Sequence, residues 1–164
     1  PAIFAWQFGL IPDPFDIPLL GIVLMTSVLW FSREDIETRD LWFRGFPTAW
    51  NFVFTVYWVI DAPDWLSIGA TLILSILTLT PWLKVPHVLG APQFRAQTVT
   101  ISVLALFATL LLIINPDTDL RPLALALMSL WVIWYFGIGI WRSLQGDEIV
   151  AADCEPAEAP AVVG

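Results

Sequence analysis

The sequence predicts an all-α, polytopic transmembrane helical bundle of about five spanning helices, with the N-terminus outside and the C-terminus inside. Three observations carry that prediction. Of the 164 residues, 58% are hydrophobic and 13% charged, about half the charged share of a typical soluble domain. The charges are clumped, leaving five long runs without Asp, Glu, Lys, Arg or His. No run carries the charged stripe at helical period that a soluble amphipathic helix shows.

A helix crosses the hydrocarbon with about 20 mostly apolar residues, within a range of about 17–25. Pro1 to Ile11 is apolar but too short to cross alone, so it is an interfacial piece or half of a span. It lacks the basic opening of a signal peptide. The first span is placed near 17–32, with Pro18 in its opening turn, where a missing amide proton costs nothing. The second, near 45–60, has Pro47 close to its start. The third runs near 65–83, the fourth near 98–115 and the fifth near 123–141. Asp61-Ala62-Pro63-Asp64 and Asn115-Pro116-Asp117-Thr118-Asp119 are helix-stopping turns, and Pro122 suits the next helix start. Residues 1–142 thus read as one membrane domain. The rest, 143–164, is acidic and rich in Ala and Pro, and is expected to be a disordered cytoplasmic tail.

Orientation follows from the basic residues. Arg33, Arg39, Arg44, Lys84, Arg95 and Arg142, six of the seven in the chain, fall on one side of these spans, which the positive-inside rule assigns to the cytoplasm. The net charge of −8 excludes a nucleic-acid partner, because neutralising phosphates requires a basic face. One cysteine (Cys154) and one histidine (His87) cannot build a zinc site. His87 sits in an irregular Val-Pro-His-Val segment and reads as interfacial rather than as a haem or chlorophyll ligand. The spans hold no ionisable groups, which argues against a proton relay or ion pathway.

Of the ten tryptophans, Trp6, Trp58 and Trp65 map near the outer surface, and Trp30, Trp42, Trp50, Trp82 and Trp141 near the inner. That is an interfacial belt. Trp131 and Trp134 fall in mid-span, where helix packing is favoured over contact with a pigment or quinone ring. Small residues such as Gly137 and Gly139 mark close helix approach. The first joint, Arg33 to Arg44, is dense in charge. Glu34/Thr38 and Asp35/Arg39 are spaced for a helical extension with an ion pair. Its interleaved arginines favour a phospholipid-facing helix end over a metal or acid–base site, and Arg44 suits a lipid phosphate.

The segment Phe43-Arg44-Gly45-Phe46-Pro47-Thr48-Ala49-Trp50-Asn51 resembles the Gly-Phe-Pro-x-x-Trp-Asn motif of bacterial phosphatidylcholine synthases, a branch of the CDP-alcohol phosphatidyltransferases. Gly45, Phe46, Pro47, Trp50 and Asn51 carry the signature. Pro1 to Trp6 and Val59 to Ala62 are similar to flanking parts of that family, and the resemblance extends over roughly residues 1–142, the C-terminal part of the family's length. It implies transfer from CDP-diacylglycerol to choline at the cytoplasmic face, with release of CMP. It also implies a metal held by the pattern D-x-x-D-G-x-x-A-R followed by G and two more Asp. This chain has no Asp-Gly and no Ala-Arg dipeptide, and the family places that motif upstream of the matched region.

Two readings follow. The main one is a non-catalytic, synthase-derived accessory subunit of a larger photosynthetic or respiratory membrane complex, with no catalytic or metal residues of its own. The alternative is the C-terminal portion of an active phosphatidylcholine synthase whose metal site lies on upstream residues. Both place the chain in a bacterial inner membrane. The expected partners are membrane lipids and other membrane-protein subunits. No cofactor is expected on the chain's own ligands, and phospholipid or pigment contacts are left open. The candidate lipid or partner contacts are Arg33, Arg39, Arg44, Lys84, Arg95, Trp131 and Trp134.

Overall fold

The structure is a computed structural model that describes residues 1–34, 36, 38, 42–86 and 94–145. Arg39, His87 and the tail from 146 onward lie outside the described residues. Among those described, the elements in chain order are α1 (Ala2–Gln7), α2 (Asp16–Phe31), β1 (Trp42–Arg44), α3 (Trp50–Ile60), α4 (Asp64–Leu79), β2 (Lys84–Pro86), α5 (Arg95–Ile114) and α6 (Arg121–Leu144). Two helices, α5 and α6, are long and apolar enough to cross a membrane. At 1.5 Å rise per residue they run about 30 and 36 Å, against a hydrocarbon core about 30 Å thick.

Burial is inverted relative to a soluble protein. On α4 the residues facing inward are Ser67, Thr71, Ser75 and Thr78, while Leu72, Ile73, Ile76 and Leu79 are exposed. On α5 the buried set is Thr98, Ala105, Ala108, Thr109 and Leu112, and Leu104, Leu106 and Phe107 face out. In water that arrangement forfeits the hydrophobic effect, whereas in lipid the outer face needs only to be apolar and the inner one small. The chain is a membrane protein. Some hydroxyls inside it bond their own helix: Thr78 donates to the Leu74 carbonyl (2.8 Å) and Thr109 to that of Ala105 (2.8 Å), while Ser75 Oγ is buried without a partner.

The main cluster packs α1, α2 and α3 together through Ala5, Leu19, Val23, Trp50, Val53 and Phe54. A second cluster joins α5 to α6 through Ala108, Leu112, Ala124 and Met128. The strands β1 and β2 pair antiparallel, Trp42 with Pro86, Phe43 with Val85 and Arg44 with Lys84. That ladder ties the connection after α2 to the connection after α4. It puts the ends of α2 and α4 and the starts of α3 and α5 at one end of the bundle. The last turns of α6 join them, because the Lys84 amide donates to Ser143 Oγ over 2.8 Å.

Four expectations need correction. The second apolar run is not helical from residue 45, and α3 begins only at Trp50. Gly45 lies at φ +87°, and Phe46, preceding a proline, is steered away from helical backbone. The first joint does not prolong α2 as a helix over Glu34, Ile36 and Thr38. Instead the backbone folds back, with Arg44 N–H donating to the Ile36 carbonyl (2.8 Å) and Thr38 N–H to that of Trp42 (2.8 Å). Trp30, Trp42 and Trp50 are buried inside the bundle rather than displayed as a belt. A Cβ on Gly137 would face open space, and Gly139 approaches a strand carbonyl rather than a helix.

Candidate functional site

The signature residues form a backbone crossing at the β1–β2 end. After Arg44 the chain turns through Gly45, whose amide donates to the Leu83 carbonyl (2.7 Å), and the Phe46 amide donates to that of Leu77 (3.0 Å). Pro47 has no amide proton to satisfy. Non-helical backbone near membrane depth is tolerated only where the protein itself supplies its partners, and Leu77 of α4 and Leu83 just before β2 supply them here. A Cβ on Gly45 would land on the Thr78 carbonyl oxygen, so both the left-handed φ and the close approach require glycine. Phe46 stacks on Phe136 of α6 (6.2 Å between centroids) and meets Trp50 edge-on (6.1 Å). Trp50 stacks on Phe54, and its indole N–H is buried without an acceptor. Asn51 is exposed at the start of α3, where its carbonyl accepts from Thr55 Oγ1 (2.7 Å).

Around the crossing stand the cations. Arg44 is half-buried in β1, and its carbonyl accepts from the Trp30 indole over 3.1 Å. Lys84 and Arg142 are both buried. Arg33, Arg44, Lys84 and Arg142 each have bonding or ring contacts within the protein. Arg95 is exposed on the first turn of α5. Sequence reasoning did not single out Arg142, Ser143 and Gly139 as one unit. A Cβ on Gly139 would come within 2.6 Å of the Lys84 carbonyl oxygen, and Ser143 Oγ donates to the Gly139 carbonyl (2.7 Å) while accepting from Lys84. The one available signal was the pair of small residues four apart in the last turns of α6.

Trp131 and Trp134 serve the α5–α6 contact. Their indole N–H groups donate to Ser102 Oγ (2.9 Å) and Thr98 Oγ1 (3.3 Å). Trp131 also stacks on Tyr135 at 5.0 Å.

Glu34 is exposed beside Arg33 at the β1–β2 end, and five of the described aspartates gather elsewhere. Asp16 and Asp64 open α2 and α4, Asp61 closes α3, and Asp117 and Asp119 lie between α5 and α6, at the end away from β1 and β2. Among the described residues no group of three or more His, Cys, Asp or Glu is placed to hold a metal ion. These side chains do not fit a divalent-metal site, and no chemical step is assigned to them.

Comparison with known proteins returns phosphatidylcholine synthases. That of Pseudomonas aeruginosa is 32% identical over 145 residues, covering 88% of this chain and 60% of that protein. The Borreliella burgdorferi enzyme is 26% identical over 136 residues, 83% of this chain and 56% of its own length. The Bradyrhizobium diazoefficiens enzyme is 32% identical over 130 residues, 73% and 45% respectively. The chain therefore spans about half to three-fifths of the length of these relatives. No protein-family model matches the chain, and no solved structure does. Of the two readings drawn from the sequence, these relatives favour the synthase portion over the accessory subunit.

Proposed function

The chain is a homologue of the bacterial phosphatidylcholine synthases, and from that kinship we propose that it forms the C-terminal membrane portion of such an enzyme, with the metal-binding Asp motif on residues upstream of the matched region. In this reading the whole protein transfers a phosphatidyl group from CDP-diacylglycerol to choline and releases CMP at the cytoplasmic face of a bacterial inner membrane. The observation that carries it is the 32% identity to a phosphatidylcholine synthase over 88% of the chain.

The proposed topology has five spans, α2 to α6, with the β1–β2 end in the cytoplasm. The helices α2, α3 and α4 are shorter than a full span, at 16, 11 and 16 residues. The non-helical crossing at Gly45 to Ala49 lengthens the second. The chain's own residues have two tasks at the cytoplasmic end. The Gly45 crossing and the β1–β2 ladder lock five helix ends together, which fixes the floor on which a nucleotide-bearing lipid would react. The exposed Arg95 stands at that floor, and a cation there favours the phosphates of an anionic lipid substrate.

Expression of the gene, with whatever coding sequence lies upstream, in a host devoid of phosphatidylcholine tests the proposal. Choline feeding should then produce phosphatidylcholine in the lipid extract, and membranes should release CMP from CDP-diacylglycerol only when choline is added. Verified expression in the membrane with neither product would overturn the enzymatic reading.

A further inference from the structure

Phe94, which immediately precedes α5, sets its ring 5.6 Å from that of Trp141 at 89° and 6.2 Å from that of Trp134 at 80°. Both indoles thus stand square to one phenyl ring. They are seven residues apart on α6, and therefore on one side of it, two turns from each other. Trp42 and Ile138 are buried against Phe94 and Trp134. Trp134 is pinned by its bond to Thr98, whereas Trp141 is 45% exposed. Aromatic walls meeting at right angles on an open side suit a quaternary ammonium. Its methyl groups lie against ring faces and its charge meets their negative quadrupoles within about 6 Å of the centroids.

We infer that Phe94, Trp134 and Trp141 form an aromatic corner that holds the trimethylammonium group of a phosphocholine lipid headgroup, with the phosphate toward Arg95. The quaternary-ammonium chemistry comes from the rings; the choice of choline as its source rests on the proposed function. The corner lies at the β1–β2 end, between the first turn of α5 and the last turns of α6, where headgroups reach in the proposed topology. Arg95, which follows Phe94 directly, is exposed, so a cation stands beside the corner. A bare cation is repelled there, while a zwitterion presents a negative phosphate to the arginine and its ammonium to the rings. The lipid headgroup is therefore the occupant, ahead of free choline. A plain interfacial tryptophan belt would use similar residues but would not discriminate one headgroup from another.

The test is retention of lipid by the full chain in mild detergent, read by native mass spectrometry with equal amounts of dioleoyl-phosphatidylcholine and dioleoyl-phosphatidylethanolamine. These differ only in three N-methyl groups. The wild-type chain should retain phosphatidylcholine over phosphatidylethanolamine by roughly three- to tenfold. Trp141→Leu should abolish that preference and Trp141→Phe should keep most of it. Arg95→Gln should weaken retention of both lipids and leave their ratio unchanged. Dodecylphosphocholine should displace the lipid at concentrations where choline chloride does not. Equal retention of the two lipids by the wild type, or an undiminished preference in Trp141→Leu, would overturn the corner. Equal displacement by choline would overturn the headgroup assignment in favour of the free alcohol. A headgroup preference without phosphatidylcholine synthesis would leave the corner standing and remove the enzymatic reading. Synthesis with a Trp141-insensitive ratio would do the reverse.

Discussion

Glycine positions at the β1–β2 end show how a single atom decides packing. Gly45 combines a left-handed φ with contact against the Thr78 carbonyl, and Gly139 lets α6 approach Lys84 so closely that a Cβ would sit 2.6 Å from its carbonyl oxygen. Gly137, two residues earlier on the same helix, faces open space. The pair makes a controlled experiment, because Ala gains about 1 kcal/mol of helix propensity over Gly at either site. Gly137→Ala should leave the thermal midpoint in detergent unchanged or raise it. Gly139→Ala should lower it, since the strand or the helix must shift to admit the methyl group, at a cost of about 1–3 kcal/mol. Equal midpoints for the two variants would show that the α6–β2 contact is not as close as described.

The elements behave as membrane physics dictates. The α5–α6 pair is held by small buried residues and by two indole–hydroxyl bonds one turn apart, Trp131 to Ser102 and Trp134 to Thr98. In lipid the apolar faces gain nothing by association alone, so close packing and such bonds decide which faces meet. A double-mutant cycle with Trp131→Phe and Ser102→Ala, measured by unfolding in mixed micelles, should give a coupling energy of about 0.5–1.5 kcal/mol. A coupling indistinguishable from zero would mean that the bond contributes nothing to the pair. The helix α3 is the element that departs most from expectation. Its apolar run looked long enough to be one span, but the run includes a glycine at positive φ and a proline. Carbonyls of Leu83 and of Leu77 in α4 capture the run's Gly45 and Phe46 amides, and helix forms only from Trp50.

At the scale of the whole molecule most of the described basic residues gather at one end, with Glu34 among them. Five of the six described basic residues, Arg33, Arg44, Lys84, Arg95 and Arg142, cluster where β1 pairs with β2. The aspartates Asp16, Asp61, Asp64, Asp117 and Asp119 occupy the opposite end, together with Arg121, whose guanidinium donates to the Pro116 carbonyl (3.2 Å). The chain's one cysteine, Cys154, follows α6 and offers a native probe of orientation. If the basic end is cytoplasmic, a membrane-impermeant maleimide should label Cys154 in inverted vesicles and not in right-side-out ones. Labelling with the opposite sidedness would reverse the proposed topology, and with it the cytoplasmic placement of the site.

Helix content and the membrane as solvent were legible from the residues alone, because both depend on composition and on where charges interrupt apolar runs. The family was legible from five residues, Gly45, Phe46, Pro47, Trp50 and Asn51, whose combination is specific. Their physical task was not, since nothing local says that the Gly45 and Phe46 amides will find carbonyls more than thirty residues away. The same holds for the pairing of Arg44 with Lys84, for the burial of Trp30, Trp42 and Trp50, and for the right angles around Phe94. Local chemistry sets which segments leave water and where helices break. Only tertiary contact selects which distant groups complete one another's hydrogen bonds, and in a bundle whose outer faces are uniformly apolar, hydrophobicity cannot make that selection.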